Sequence, residues 1–340
     1  MPTTLHLDAT KPADIARAAA LLREGRLVAF ATETVYGLGA NALSPAAVAA
    51  IFTAKQRPAW DPLIVHIASV SQLSTITSVP TSLEPRISRL ASSFWPGPLT
   101  LLLPRNASIP DAVTAGRELV GVRVPAHPAA HALLEAAGLP IAAPSANLFG
   151  HTSPTTASHV LADLNSRIDA VLDAGPTTIG LESTVLDPTQ TPMLLYRPGA
   201  ITPQHLTAAT GVAVQVFQPV ATQTPASLPS PGVGIRHYAP RARLQLVEGN
   251  PAALASALQS STLPPEAIGV LLPLDWSLTT QAVVQPWARW DDPEALAAAL
   301  FAGLRALDDR GAQLILAPLP PPSGLRDALR DRLEKAAMPK

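Results

Sequence analysis

The stretch Leu27-Val28-Ala29-Phe30-Ala31-Thr32-Glu33-Thr34-Val35-Tyr36-Gly37-Leu38-Gly39 joins an apolar run to a polar island that ends in two glycines. Residues 27–30 are apolar and predict a buried strand. The two glycines allow the backbone to come close to a ligand, although a capped turn also explains the island when it is taken alone. The chain has neither a G-x-G-x-x-G nor a G-x-x-x-x-G-K-S/T sequence, which excludes a dinucleotide fingerprint and a P-loop.

The same pattern of apolar runs and polar islands continues through the first 200 residues. The later islands are 55–58, 62–67, 123–127, 144–147, 153–155, 182–184 and 196–199. Predicted strands cover 27–30, 63–67, 99–103, 119–124, 141–143, 170–173, 183–187 and 194–197, and predicted helices cover 14–24, 45–55, 128–137 and 154–164. This interleaving predicts an α/β domain with a twisted mixed or parallel sheet flanked by helices. Polar residues at strand ends around one cleft indicate an enzyme.

Two helix starts are explicit in the sequence. Ser44 precedes Pro45, and Ser153 precedes Pro154. Each pair predicts a serine N-cap with proline at the first helical position.

A proline-rich segment divides the chain. Residues 219–231 contain four prolines and no periodicity, which predicts an extended linker. After it, strands are predicted at 244–247, 268–272 and 314–316, and helices at 251–258, 292–307 and 325–337. We therefore predict a catalytic domain over 1–212, a linker or lid over 213–242, and a smaller α/β domain over 243–340.

Composition excludes several classes of protein. Hydrophobic residues make up 47% of the chain and charged residues 14%, as in a well-buried globular protein. A net charge of −1 does not favour nucleic acid or an anionic membrane as a partner. The absence of cysteine excludes a disulfide framework, a thiolate nucleophile and a cysteine-based zinc site. We find no signal peptide and no apolar run of about 20 residues that would span a membrane, so a cytoplasmic protein is expected.

Lys55 and Arg57 are candidates for binding phosphates. Lys55 is the only lysine between residues 12 and 334 of a chain that otherwise uses arginine, which suggests a compact charge near a phosphate. A surface lysine favoured by the helix dipole is the alternative. Arg123 ends an apolar strand, where its charge needs a carboxylate or a phosphate.

Four further polar residues can be interpreted either as ligand-binding residues or as purely structural ones. Ser145 and Asn147 follow a buried strand, where they either bind a ligand or form a turn. Ser153 offers a hydroxyl and backbone donors to an anion, or is simply an N-cap. His66, between apolar neighbours, reads by default as a hydrogen-bonded core histidine.

Taken in order, the islands resemble those of the threonylcarbamoyl-AMP synthase family, whose catalytic unit is the YrdC-like domain. The resemblance covers residues 8–205. Ser230-Pro231-Gly232-Val233-Gly234-Ile235-Arg236-His237-Tyr238-Ala239-Pro240 is similar to the linker of the longer form of the family, which ends in a small Rossmann-like domain.

The resemblance implies a synthesis of threonylcarbamoyl-AMP and pyrophosphate from L-threonine, bicarbonate or CO₂, and ATP with Mg²⁺. It also implies transfer of the product to a separate complex that modifies tRNA. The residues implied for threonine are Thr34, His66, Arg123, Ala143 and Ser183; those for the nucleotide are Arg57, Asp61, Leu119, Ser145, Asn147, Ser153, Arg197 and Tyr238. Lys55 and Arg57 are the implied catalytic cations, and no side chain is expected to hold a resident metal.

The sequence departs from the family pattern at three places. Ala31 replaces a usual proline, Asp61 replaces a usual asparagine, and residues 232–235 differ from the usual Gly-Met-Lys-Tyr. Two alternatives remain open. One is a module that binds RNA weakly without turnover, against which the net charge of −1 argues. The other is carbamoyl transfer in hydrogenase maturation, whose proteins carry cysteine-based zinc motifs.

Overall fold

The computed structural model describes residues 3–218, 230 and 236–339 of a chain that divides into two compact units. The first unit comprises residues 1–149, 154–177 and 182–233, and the second comprises 150–153, 178–181 and 234–340. Two short segments from the first 200 residues therefore belong to the second unit. Most of the predicted lid, at 219–229 and 231–235, lies outside the described residues.

Eleven of the described strands form the sheet of the first unit. They are β1 (Leu5–Asp8), β2 (Val28–Phe30), β3 (Gly37–Asn41), β4 (Ile64–His66), β5 (Leu99–Pro104), β6 (Leu119–Arg123), β7 (Ile141–Ala142), β8 (Ala170–Asp173), β9 (Thr184–Asp187), β10 (Met193–Arg197) and β11 (Val214–Val216). The strand order is β1-β8-β2-β3-β7-β4-β6-β5-β9-β10-β11. The sheet contains parallel pairs such as β4–β6 and antiparallel pairs such as β5–β6, which confirms the predicted mixed sheet.

Helices cover both faces of this sheet. They are α1 (Pro12–Arg23), α2 (Pro45–Lys55), α3 (Leu73–Ile76), α4 (Glu84–Phe94), α5 (Asp111–Thr114), α6 (Pro128–Ala137), α7 (Ala157–Leu164) and α8 (Pro203–Thr210). Apolar residues of α1 and α6 pack with Val28, Phe30 and Ile141 in one cluster. Residues of α2, α4, α7 and α8 pack on the other face, in the main core.

One of the two predicted helix starts is wrong. Ser44 caps α2, with its side chain accepting from Ala47 N at 3.3 Å, as predicted. Ser153 does not cap a helix, because α7 begins at Ala157 and its N-cap is Thr156. The carbonyl of Pro154 instead accepts from Tyr36 N at 2.9 Å. This tertiary hydrogen bond holds the segment outside the helix that its Ser-Pro sequence predicts.

The second unit contains a parallel sheet of four described strands. These are β12 (Arg243–Glu248), β13 (Ile268–Leu272), β14 (Val283–Pro286) and β15 (Leu314–Leu319), in the order β12-β15-β13-β14. Its helices are α9 (Pro251–Ser260), α10 (Pro293–Asp309) and α11 (Leu325–Ala337). This confirms the predicted smaller α/β domain. In the described part of the chain, no helix has the length and apolar character needed to cross a membrane.

The end of the opening polar island is a strand, β3, and its glycines differ in the space around them. A Cβ atom on Gly39 would lie 2.9 Å from Ile141 Cγ2 and 2.9 Å from Phe30 Cε1. A Cβ atom on Gly37 would meet Ala143 Cβ at 3.3 Å. The close packing of β2, β3 and β7 therefore depends mainly on Gly39.

We predict that Gly39→Ala lowers the free energy of unfolding by about 1–3 kcal/mol, because the added methyl overpacks the site. The matched variant Gly37→Ala, two residues along the same strand, should have a clearly smaller effect. Urea denaturation of both variants measures the difference. Equal effects would show that the space beside Gly39 does not constrain the sheet.

Candidate functional site

Alternate residues of the central strands place polar side chains on one face of the sheet. Ile64, Leu102 and Val185 form a small cluster on this face, whereas the neighbouring residues of their strands belong to the main core on the other face. Because side chains alternate along a strand, His66 lies on the face of Ile64 and Thr100 lies on the face of Leu102. The face that carries Ile64, Leu102 and Val185 therefore also carries the polar residues of the central strands.

Five side chains form a row across neighbouring strands of this face, which we call the polar row: His66, Arg123, Thr100, Ser183 and Arg197. His66 lies opposite Arg123 in the β4–β6 pair. Leu101 pairs with Val122 in the antiparallel β5–β6 pair. The preceding residue, Thr100, therefore lies opposite Arg123. Thr100 Oγ1 lies 2.8 Å from Ser183 Oγ, and Arg197 Nη2 donates to Ser183 Oγ at 3.1 Å. The row unites residues predicted for threonine with one predicted for the nucleotide.

Arg123 joins the polar row to the loop 31–36 between β2 and β3. Its guanidinium is buried and lies with Nη2 2.7 Å from Glu33 Oε1. Nη1 donates to Thr34 Oγ1 at 2.9 Å, and Nε donates to Gly97 O at 3.1 Å. Burial acts to raise the pKa of Glu33, but the charge and hydrogen bond of Arg123 outweigh it and the pKa is lowered. The carboxylate that the position of Arg123 requires is thus Glu33.

His66 is a neutral residue of the row. Burial, reinforced by the nearby charge of Arg123, lowers its pKa to about 3. The ring meets Phe30 edge to face, with the ring centroids 6.2 Å apart. Its buried Nδ1 has no hydrogen-bond partner within the described residues. A buried polar atom of this kind can share a hydrogen bond with a bound water, ion or ligand.

Lys55 fixes the turn that follows β7. Its Nζ donates to Ser145 O at 2.5 Å and also to Asn147 O. Burial, followed by the charge of Arg57, holds the pKa of Lys55 well below its ordinary value. The structure therefore places the ammonium group of Lys55 against backbone carbonyls.

Arg57 and Asp61 form a buried ion pair next to this turn. Arg57 Nη2 lies 2.9 Å from Asp61 Oδ2 and donates to Pro62 O at 2.8 Å. The guanidinium also lies over the ring of Phe149, 5.9 Å from its centroid. Because Arg57 balances its charge, the unusual Asp61 does not leave an isolated negative charge in the site.

Loop 31–36 connects the residues predicted to bind threonine with the turn that carries residues predicted to bind the nucleotide. Its Thr34 contacts Arg123, whereas Tyr36 O accepts from Ala146 N at 2.8 Å. Ala143 donates its backbone N–H to Ile64 O at 2.8 Å, on the strand that carries His66. Leu119 is half-buried and packs against the cluster of Ile64 on the face of the polar row.

Two predicted nucleotide residues, Ser153 and Tyr238, belong to the second unit. Tyr238 is buried there, with the guanidinium of Arg332 5.1 Å from its ring centroid and the ring of Phe301 stacked at 5.8 Å. Gly150, close to Ser153, accepts from Ala239 N at 2.9 Å. The direct binding of a nucleotide by Ser153 and Tyr238 stays a prediction.

Sequence reasoning missed Glu33 and Thr100 as members of the site. Thr100 is the only polar residue in the apolar run of 99–103, and this was a usable signal. Glu33 stood in the first island but had no identified partner. In residues 3–218, 230 and 236–339, no group of three or more histidine and acidic residues forms a metal site.

Comparisons with known proteins agree with this architecture. The family model described as "Telomere recombination" matches residues 20–199, and the one described as "Threonylcarbamoyl-AMP synthase, C-terminal domain" matches residues 201–338. A Bacillus subtilis protein named threonylcarbamoyl-AMP synthase is 44% identical over 96% of this chain and 94% of its own length. The crystal structure of Pyrococcus abyssi Sua5 complexed with L-threonine is 40% identical and covers 98% of this chain and 97% of that one, with a TM-score of 0.87.

The fold and these comparisons identify a two-unit α/β enzyme of the nucleotidyltransferase type. More particularly, the chain belongs to the threonylcarbamoyl-AMP synthase family, in the form that carries the additional C-terminal domain.

We predict that Glu33→Gln lowers the free energy of unfolding by about 3–5 kcal/mol, because it leaves Arg123 buried without a carboxylate. The same substitution at Glu135, an exposed residue that pairs with half-buried His131, is the control and should change little. Urea denaturation measures both. A stability loss at Glu33 as small as that at Glu135 would exclude this ion pair as a structural element.

The lowered pKa of His66 predicts a pH dependence of stability. The native state does not protonate His66 until the pH falls to about 3, whereas the unfolded state does so near pH 6.5. The stability from this group is therefore complete above about pH 6.5 and falls by up to about 1.4 kcal/mol per pH unit below it. Denaturation between neutral and acidic pH should show a shallower decline for His66→Gln. Identical slopes for the two proteins would contradict the buried, neutral state.

Proposed function

We propose that this protein condenses L-threonine, bicarbonate or CO₂, and ATP into threonylcarbamoyl-AMP and pyrophosphate. The observation that carries the proposal is the polar row, which joins two buried arginines, a neutral histidine and two hydroxyl groups across adjacent strands. Membership of the synthase family and the L-threonine complex of the Pyrococcus abyssi protein support the choice of substrate.

Threonine binds, in this proposal, at the end of the row that contains His66 and Arg123, next to Thr34 of loop 31–36. The guanidinium of Arg123 has five N–H groups, of which three are directed to Gly97 O, Thr34 and Glu33. The remaining two can donate to the threonine carboxylate. His66 Nδ1 provides a further polar contact, and Ala143 and Ser183 complete the pocket.

The nucleotide binds between Arg197 and the turn that Lys55 holds. Arg197 Nε donates to the backbone carbonyl of Ser183 at 2.9 Å, and Arg197 Nη2 donates to the Ser183 hydroxyl at 3.1 Å. These contacts support a cation beside the proposed threonine pocket. Arg57, Asp61, Leu119, Ser145 and Asn147 line the nucleotide side of this site in the first unit. Mg²⁺ enters with ATP as part of the substrate.

The chemistry requires positioning and charge stabilisation more than a protein nucleophile. The neutral amine of threonine attacks CO₂ and loses a proton, which gives a carbamate. A carbamate oxygen then attacks the α-phosphorus of ATP, and the bond to pyrophosphate breaks. Arg57 and Arg197 stabilise the developing negative charge, and Lys55 contributes by holding Ser145 and Asn147 in place. The product then passes to a separate transferase complex that modifies tRNA.

We predict that the purified protein releases pyrophosphate from MgATP only when threonine and bicarbonate are both present. Serine lacks one methyl group, which is worth about 1–3 kcal/mol in an apolar pocket, so it should react slowly but detectably. A coupled pyrophosphate assay with each component omitted in turn measures this. Release that is independent of threonine would exclude the synthase reaction, and salt-sensitive RNA binding without turnover would favour the alternative RNA-binding module.

The variant Arg123→Lys tests the threonine subsite in the same assay. It keeps the positive charge but loses the planar pair of donors that suits a carboxylate, so the KM for threonine should rise far more than the KM for ATP. Arg17→Lys, in α1, is the matched control and should leave both values unchanged. Equal changes in the two KM values for Arg123→Lys would argue against a threonine carboxylate at this residue.

A further inference from the structure

The sheet of the second unit contains a crevice between two adjacent parallel strands. Leu254 of α9 packs with Val270 and Leu316 on one face of this sheet. A Cβ atom on Gly269 would meet Leu307 of α10 on the other face, and α10 contacts α11. The chain therefore leaves β12 for α9 on one face, and leaves β15 for α11 on the other. Adjacent strands whose connections diverge in this way open a crevice at their carboxyl ends, where α/β proteins bind ligands.

A cavity of about 470 Å³ lies at this position, within the usual size range for a small-molecule site. Glu248 and Gly249 line it from the end of β12, and Leu319 lines it from the end of β15. Trp290 and Arg330 also form part of the wall. A Cβ atom on Gly249 would lie 2.6 Å from Trp290 Cζ2, so the glycine lets the indole close one side of the cavity.

The charges of the cavity argue against a phosphate group. Arg330 already donates to Pro320 O at 2.8 Å and pairs with Glu334 at 3.0 Å. Of the residues that the structure describes, only Asn250 donates to the carboxylate of the exposed Glu248, through a long contact of 3.5 Å from Nδ2, and this carboxylate adds a negative charge to the lining. The N-terminus of α9 begins with Pro251, and Asn250 Oδ1 accepts from Ala253 N at 2.8 Å. A phosphate would therefore meet repulsion and find an N-terminus that is already capped.

The remaining chemistry suits a flat ring that carries an amino group. Trp290 offers an aromatic surface for stacking, and Glu248 accepts hydrogen bonds. We propose that the second unit binds a nucleobase or an unphosphorylated nucleoside in this crevice, with the ring against Trp290 and an amino group donating to Glu248. None of the residues that line this cavity belongs to the proposed nucleotide site, and the proposal does not depend on the proposed reaction.

Saturation-transfer NMR with the full-length protein and adenosine tests the proposal. We expect saturable binding, at least tenfold weaker binding for Glu248→Gln, and weaker binding of AMP than of adenosine. Glu266→Gln, at an exposed position of the same unit, is the control and should bind like the unchanged protein. Trp290→Leu should also weaken binding, and if this variant does not fold, the isosteric Glu248→Gln still decides.

A double variant, Arg57→Met with Asp61→Asn, separates this crevice from the proposed active site. Adenosine binding that persists in the double variant but falls in Glu248→Gln supports the proposal, whether or not the protein releases pyrophosphate. The proposal is overturned if adenosine shows no saturable binding up to its solubility limit. It is also overturned if binding is lost in the double variant and retained in Glu248→Gln, or if AMP binds more tightly than adenosine.

Discussion

The buried ion pair between Arg123 and Glu33 is the interaction on which the site depends. It fastens loop 31–36 to the end of β6, with Arg123 Nη2 2.7 Å from Glu33 Oε1. A direction of hydrogen bonding follows from it: Arg123 donates to Thr34, which leaves the Thr34 hydroxyl to donate to Thr32 Oγ1 at 2.8 Å, and Thr32 donates to Val35 O at 2.7 Å. The hydrogen bonds and the ion pair that the buried guanidinium requires therefore also fix the conformation of the loop.

Side chains alternate along the central strands, so that one set packs in the core and the other forms the polar row. Residues such as Val65, Leu101 and Val122 point into the main core and hold the sheet. Their neighbours His66, Thr100 and Arg123 point to the opposite face and form the polar row. Because the same short strands supply both sets, the positions of the polar groups are as rigid as the core beneath them.

Two other buried cations of the first unit, Lys55 and Arg57, hold backbone carbonyls. Lys55 holds two carbonyls of the turn after β7, and Arg57 binds Asp61 together with the carbonyl of Pro62. Both residues lie in an island that the sequence pattern associates with phosphates. Their contacts indicate that a cation next to a nucleotide site can act through the loop that it organises as well as through its charge.

The sequence by itself determined the mixed α/β fold, the second α/β domain and the islands from which the site is built, because strand and helix periodicities are local properties. It also indicated that Arg123 needed an anionic partner. Only the tertiary structure decided that this partner is Glu33, that Thr100 joins the row, and that Thr156 rather than Ser153 caps α7. These facts depend on strand register and on hydrogen bonds between residues distant in sequence, which no local pattern encodes.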